Sequence, residues 1–359
     1  MKEPPRLLSV STHVPVHPLP RDETLNALPI LSGGVQEAER FRGMVERSRI
    51  DRRYTETPIS ELLHLTPAAR SRIFEQKSCL IAEDLGRQAL LAAGIEGRDV
   101  RLVITTSCTG YMLPSVEAYV MPRLGIPSEA RRVPITELGC SAGVGALGLA
   151  TELLTGHGGY ALVISIELCS SCMQTTDLAP SDVIGNILFA DAAAAAVVGT
   201  TDTPIGPEIV GTRTVLWPDT TDVLGMRLSD TGLRLVLSPT LPQVVVKHLP
   251  TALNRFLAEH ELSLSDVDFW IIHPGGPRVL ESVGQELGLV DTALAPSWAV
   301  WSAYGNVSSA TVFFILKALH ERDGVPEGRL GVMIAFGPGL SCELALLRST
   351  GWLSRPARS

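Results

Sequence analysis

Three polar residues at the ends of apolar runs carry the chemistry this chain could perform. Cys140 stands in Glu137-Leu138-Gly139-Cys140-Ser141-Ala142-Gly143, where an apolar stretch gives way to a helix of small residues. His273 ends the run Phe269-Trp270-Ile271-Ile272 and precedes Pro274-Gly275-Gly276-Pro277. Asn306 opens a second small-residue helix, Gly305-Asn306-Val307-Ser308-Ser309-Ala310. A thiol at a helix N-terminus meets unpaired N–H groups and the positive end of the macrodipole. The sequence therefore favours a thiolate at Cys140. A thiolate, an imidazole and an amide are the parts of an acyl-transfer and decarboxylation site. Each alone has a plain structural alternative: a buried cysteine, a core histidine, a helix cap. All three together, each in a Gly-rich setting, point to a site. The other seven histidines sit in polar or helical contexts that predict surface positions.

The elements that must position these residues alternate between apolar strands and helix-period segments, the signature of an α/β protein. Residues 7–14, 101–107 and 160–167 read as strands, 35–47 as an amphipathic helix and 114–124 as a short one. Thr66-Pro67 supplies an N-cap and an N1 proline for a long helix that stops near Gly94. Residues 188–199 are ambiguous: the alanines favour helix, the closing Val-Val-Gly a strand. A polar stretch at 200–204 marks a boundary between two halves, 1–203 and 204–359. The second repeats the grammar of the first, since Gly139-Cys140 and Gly305-Asn306 each open a small-residue helix. A duplicated unit whose helix N-termini meet would bring Cys140 from one half to His273 and Asn306 from the other.

Composition narrows the classes. A chain of 359 residues is too long for one small core, and 45% hydrophobic residues allow a generous one. The net charge of −8 argues against a nucleic-acid partner. No apolar run reaches the length of a bilayer span and the N-terminus lacks a signal-peptide core, so a cytoplasmic protein without membrane contact is expected. The six cysteines are expected to be reduced. Cys169 and Cys172 form a C-x-x-C without a second ligand pair, so they are read as cavity or core residues rather than a metal site.

The runs Leu138-Gly139-Cys140-Ser141-Ala142-Gly143, His273-Pro274-Gly275-Gly276-Pro277, Gly305-Asn306-Val307-Ser308-Ser309 and Phe336-Gly337-Pro338-Gly339-Leu340 occur in one order along the chain. They resemble the motifs of type III polyketide synthases, the chalcone synthase family, from about residue 40 to 348. The segments Thr106–Pro114 and Glu167–Cys172 are closer to bacterial members than to plant ones. The resemblance implies a thiolase-like αβαβα fold, a homodimer and iterative use of malonyl-CoA with no metal or other cofactor. It makes Cys140 the acyl-bearing nucleophile, and His273 and Asn306 the donors to the malonyl thioester carbonyl. Phe189 matches a phenylalanine packed over the reacting group. Gly337 and Pro338 fall in the family's substrate-side loop, and Arg40 and Arg47 match positions that grip the CoA phosphates. The third such position is Gly43, with Arg42 beside it.

Specificity positions depart from the plant pattern. Leu235 stands where a gate phenylalanine is expected, Met226 where a small glycine is, and Cys108, Cys169 and Cys172 replace pocket threonines. These changes make the pocket more aliphatic, and Met226 should limit chain length. An aliphatic acyl-CoA starter giving an alkylpyrone or alkylresorcinol is the expectation, with a malonyl-CoA-primed tetrahydroxynaphthalene-type reaction as the alternative. A β-ketoacyl-carrier-protein synthase would share the trio but carry a different run after the histidine. A non-catalytic scaffold would be expected to have lost one of the three.

Overall fold

The computed structural model describes residues 4–200, 206–322 and 324–350. The first half holds strands β1 (Arg6–His13), β2 (His17–Pro20), β3 (Arg52–Thr55), β4 (Val100–Thr106), β5 (Arg131–Ile135), β6 (Tyr160–Leu168) and β7 (Asp191–Gly199). Its helices are α1 (Arg21–Leu31), α2 (Val35–Arg47), α3 (Ile59–Leu62), α4 (Pro67–Ala93), α5 (Val116–Arg123), α6 (Ala142–Leu154) and α7 (Pro180–Leu188). The second half holds β8 (Glu208–Leu216), β9 (Leu224–Ser229), β10 (Gly232–Leu237), β11 (Phe269–Ile272), β12 (Leu330–Gly337) and β13 (Ser341–Arg348). Its helices are α8 (Leu241–Ala258), α9 (Pro277–Glu286), α10 (Asp291–Tyr304) and α11 (Thr311–Arg322).

Nine strands run in the order β11-β12-β13-β8-β1-β7-β6-β4-β5. The halves of this sheet join where Arg6 of β1 pairs with Glu208 of β8. Three cores separate the layers. One lies between α4, α5 and the first half-sheet, and one between the second half-sheet and α8, α9. The central core holds α6 and α11 between the two half-sheets. That is the αβαβα sandwich expected from the sequence.

The strand side chains show why two cores need one strand. On β7, Ala192, Ala194, Ala196 and Val198 enter the central core, while Ala193, Ala195 and Val197 enter the outer one. This period of two settles the ambiguity at 188–199: α7 ends at Leu188 and the alanine run is strand. Alanine is there because helices press on both faces, and packing overrides its helix propensity. The long α4 starts as expected, with the Thr66 hydroxyl accepting from Ala69 N at 3.2 Å. It ends at Gly94, whose φ of +68° lies in the left-handed region. The boundary expected at 200–204 falls largely on residues outside the described ones. Among the described residues, no helix is long and apolar enough to cross a membrane.

Candidate active site

Each of the three expected residues sits at an element end. Cys140 lies in a 3-10 turn, Gly139–Ser141, that leads directly into α6. His273 follows β11, its backbone N–H donating to Ile334 O at 2.8 Å. Asn306 follows α10 across Gly305, and a bridge ties it to the loop after α7. Asn306 N donates to Leu188 O at 2.8 Å and Ala190 N to Asn306 O at 2.9 Å. The chain around Phe189 is therefore held against Asn306 by backbone hydrogen bonds. Cys140, His273, Asn306 and Phe189 line one small pocket of about 30 Å³.

Two glycines make the approach possible. A side chain at Gly143, in the first turn of α6, would overlap the carbonyl oxygen of Ser309 from the opposite half. One at Gly337 would overlap Ser141 Oγ and Leu138 O beside the nucleophile. Gly337 thus departs from its expected place: it is absent from the cavity wall and instead lets the end of β12 press on the Cys140 turn. Pro338, next to it, does line the cavity.

The amide of Asn306 is oriented by its own turn. Asn306 Oδ1 accepts from Ser308 N at 2.9 Å, so its Nδ2 is the group left to donate into the pocket. His273 is 1% exposed, the one fully buried histidine among the described residues, and neither ring nitrogen has a partner there. Burial lowers its pKa to about 4, so the imidazole is neutral at pH 7, with one nitrogen donating and one accepting.

Two influences oppose the thiolate expected at Cys140. Burial first, then the charge of Glu167, push the thiol up to about 12, against a hydrogen bond from Ser308 and one from the backbone. The helix N-terminus is present, but desolvation outweighs it. A neutral thiol beside a neutral imidazole is the arrangement in which histidine removes the proton as sulfur attacks. Alkylation of Cys140 by iodoacetamide should therefore keep rising above pH 8, because the thiolate fraction grows until the pH passes a raised pKa. A rate that levels off below pH 8 would restore the ion pair.

A larger cavity of about 570 Å³ adjoins this pocket, within the range of small-molecule sites. Cys140 and Phe189 line both. Cys108, Cys169, Cys172, Met226 and Leu235 all line the larger one. Met226 and Leu235 are cross-strand partners in the β9–β10 hairpin, so one hairpin presents both specificity positions. Cys169 and Cys172 begin and end a 3-10 turn after β6, which places the C-x-x-C in the cavity wall. All six cysteines are free. Among the described residues, no group of three or more His, Cys, Asp or Glu side chains could hold a metal ion.

Glu167 and Ser308 went unnoticed in the sequence. Glu167 is buried at the end of β6 and accepts from Thr109 Oγ1 at 3.0 Å, Cys108 N at 3.2 Å and the Ser309 hydroxyl. Burial raises its pKa despite those bonds. Ser308 Oγ lies 3.4 Å from Cys108 Sγ and also bonds Cys140. Only the folded chain places a strand-end glutamate and a helix-start serine between two thiols.

Arg40 and Arg47 lie on α2, seven residues apart and exposed, and neither lines the cavity. Arg40 pairs with Glu37 at 2.8 Å and Arg42 with Glu39 at 3.4 Å. Ala38 and Val45 of α2 share one hydrophobic cluster with Val183, Ile187 and Leu188 of α7, whose end leads into Phe189.

Comparison with known proteins agrees with this geometry. The N-terminal domain of the chalcone and stilbene synthases matches residues 6–202, and their C-terminal domain residues 208–351. A 1,3,6,8-tetrahydroxynaphthalene synthase of Streptomyces peucetius subsp. caesius is 40% identical over 273 residues, 75% of this chain and 72% of the relative. The synthase of that name from Streptomyces coelicolor is 32% identical over 339 residues, 94% and 90% of the two chains. The crystal structure of the Streptomyces coelicolor A3(2) synthase, a bacterial type III polyketide synthase, superposes with a TM-score of 0.92. It is 31% identical, and the match covers 96% of this chain and 99% of that one. With the family's two domains matched in order along one αβαβα sandwich, this chain belongs to the chalcone and stilbene synthase family, the type III polyketide synthases.

Proposed function

We propose that the protein condenses an acyl-CoA starter with several malonyl-CoA units on Cys140, and that malonyl-CoA itself is the starter. The observation that carries the reaction is the shared pocket of Cys140, His273 and Asn306. The Cys140 sulfur attacks the starter thioester, His273 takes the thiol proton, and CoA leaves as its thiol after receiving that proton. The malonyl C–C bond to the carboxylate then breaks and CO₂ departs. The electron pair passes to an enolate whose oxygen takes hydrogen bonds from Asn306 Nδ2 and the His273 N–H. The enolate carbon attacks the acyl carbonyl on Cys140, sulfur leaves, and the lengthened chain is again a CoA thioester. Arg40 and Arg47 hold the CoA phosphates in this reading, and the protein works as a homodimer without a cofactor.

The products named for the Streptomyces relatives favour the malonyl starter and a tetrahydroxynaphthalene. A second reading rests on the apolar wall formed by Leu224, Met226, Leu233 and Leu235. There an aliphatic acyl-CoA is the starter and the chain closes as an alkylpyrone or alkylresorcinol, each buried methylene contributing about 0.8 kcal/mol. Mass spectrometry of reactions with malonyl-CoA alone and with added acyl-CoAs separates the two. The malonyl reading expects the full-length aromatic product from malonyl-CoA alone. Product formation only when an aliphatic acyl-CoA is added would overturn it in favour of the second. In either case Met226→Gly, which removes a side chain from the wall, should lengthen the product.

A further inference from the structure

The β9–β10 hairpin that carries Met226 and Leu235 is a two-stranded sheet outside the nine-stranded one. A ribbon of two strands is marginal by itself, so its position depends on what it is fastened to. Its two ends are fastened to different halves of the molecule. At the base, the cross-strand partners Leu224 and Leu237 pack on the outer core of the second half. Gly339 N donates to Leu224 O there at 3.2 Å. Towards the turn the ties go to the first half. Gln174 Nε2 donates to Leu233 O and to Cys172 O, each at 3.0 Å. Arg234 Nη2 donates to Asp182 Oδ2 on α7 at 2.7 Å and also bonds Asp177 O. The pair Met226–Leu235 stands between the base and these ties.

Each tie is itself held from behind. Asn186, one turn after Asp182 on α7, accepts from Gln174 N at 3.2 Å and donates to Gln174 O at 2.7 Å. Asp182 Oδ2 also accepts from Ala179 N at 2.9 Å. Leu235 closes on the same helix, its Cδ2 3.4 Å from where a β-carbon on Gly185 would stand. Cys172, Leu233 and Leu235 line the larger cavity, whereas Arg234 does not. One amide therefore joins two walls of the cavity, and a charge-assisted bond joins the ribbon to α7. Resting on the condensing reaction proposed above, we propose that Gln174 and the Arg234–Asp182 pair determine chain-length specificity by position. They latch the ribbon to the first half and so set the length of acyl chain that the cavity admits. With the latch closed, Met226 and Leu235 stop the chain. With it broken, the ribbon yields about its base and both side chains withdraw.

Calorimetric titration of the full-length protein with S-alkyl-CoA thioethers, from butyl to hexadecyl, reads that length without turnover, because a thioether has no carbonyl for Cys140 to attack. Wild-type affinity should climb as methylenes are added and then fall where the chain meets the ribbon. In Arg234→Met, and in Gln174→Met, which fills the space but cannot donate, the turning point should move to longer chains. The ligand two carbons beyond the wild-type optimum should bind either variant about tenfold more tightly than it binds the wild type, the scale of two newly buried methylenes. A turning point unmoved in both variants would overturn the proposal. So would affinity lost evenly across all lengths, which is what destabilisation alone would do. Absence of any binding would overturn it too, since the cavity would then take no chain. Should Arg234→Met fail to fold with the Asp182 carboxylate left without its cation, Gln174→Met decides alone. Incubation with malonyl-CoA then separates the latch from the reaction it serves. Longer products from the variants than from the wild type carry the latch into catalysis. A shifted turning point in a protein that condenses nothing would sink the proposed reaction and leave the latch standing.

Discussion

Replacing Asn306 with alanine is expected to slow malonyl-CoA decarboxylation by on the order of a hundredfold or more, the cost of losing one preorganised donor to an oxyanion. The side chain is pinned through Oδ1 to Ser308 N, so Nδ2 is aimed before substrate arrives. The neutral His273 cannot take over both hydrogen bonds, since it has one N–H to give. Cys140→Ala should behave differently: it should make no polyketide but still release CO₂, because the enolate donors remain. Release of labelled CO₂ from malonyl-CoA reads both variants. If Asn306→Ala decarboxylated at the wild-type rate, Asn306 would serve only as the cap of its turn.

The second large effect concerns the contact between the halves. Gly143→Ala places a methyl group on the Ser309 carbonyl oxygen, with Val312 Cγ2 at 3.0 Å on the other side. Neither the first turn of α6 nor the 3-10 turn Ser308–Ala310 can yield without moving Cys140 or Asn306. Overpacking of this kind costs about 1–3 kcal/mol, which a lower urea midpoint would report. Condensation should fall by more than stability accounts for, since the displaced turns carry the nucleophile and the donor. An unchanged midpoint with full activity would show that the halves are not pressed together there.

What was legible from the chain was what local pattern records. The Thr66 cap and Gly94 stop of α4, and the Gly-flanked Cys140, His273 and Asn306, are local signals, and the structure puts each where the pattern pointed. The alanine run of β7 was not, because its state is decided by helices on both faces. For the ionisation of Cys140, the helix N-terminus is visible in sequence, whereas the burial that opposes it is not. Gly337 was expected on the substrate side because the family's motif carries it there, yet it also lets Ser141 approach at close range. Glu167 and Ser308 escaped notice because their significance lies in what they face, and no spacing along the chain encodes it.

The central claim is that Cys140 carries the growing chain. Brief incubation of the protein with malonyl-CoA or a starter acyl-CoA, acid quenching and peptide mass spectrometry would read it directly. The acyl group should be found on the peptide containing Cys140 and disappear in Cys140→Ala. An adduct on Cys108, Cys169 or Cys172 that persists in Cys140→Ala would contradict it.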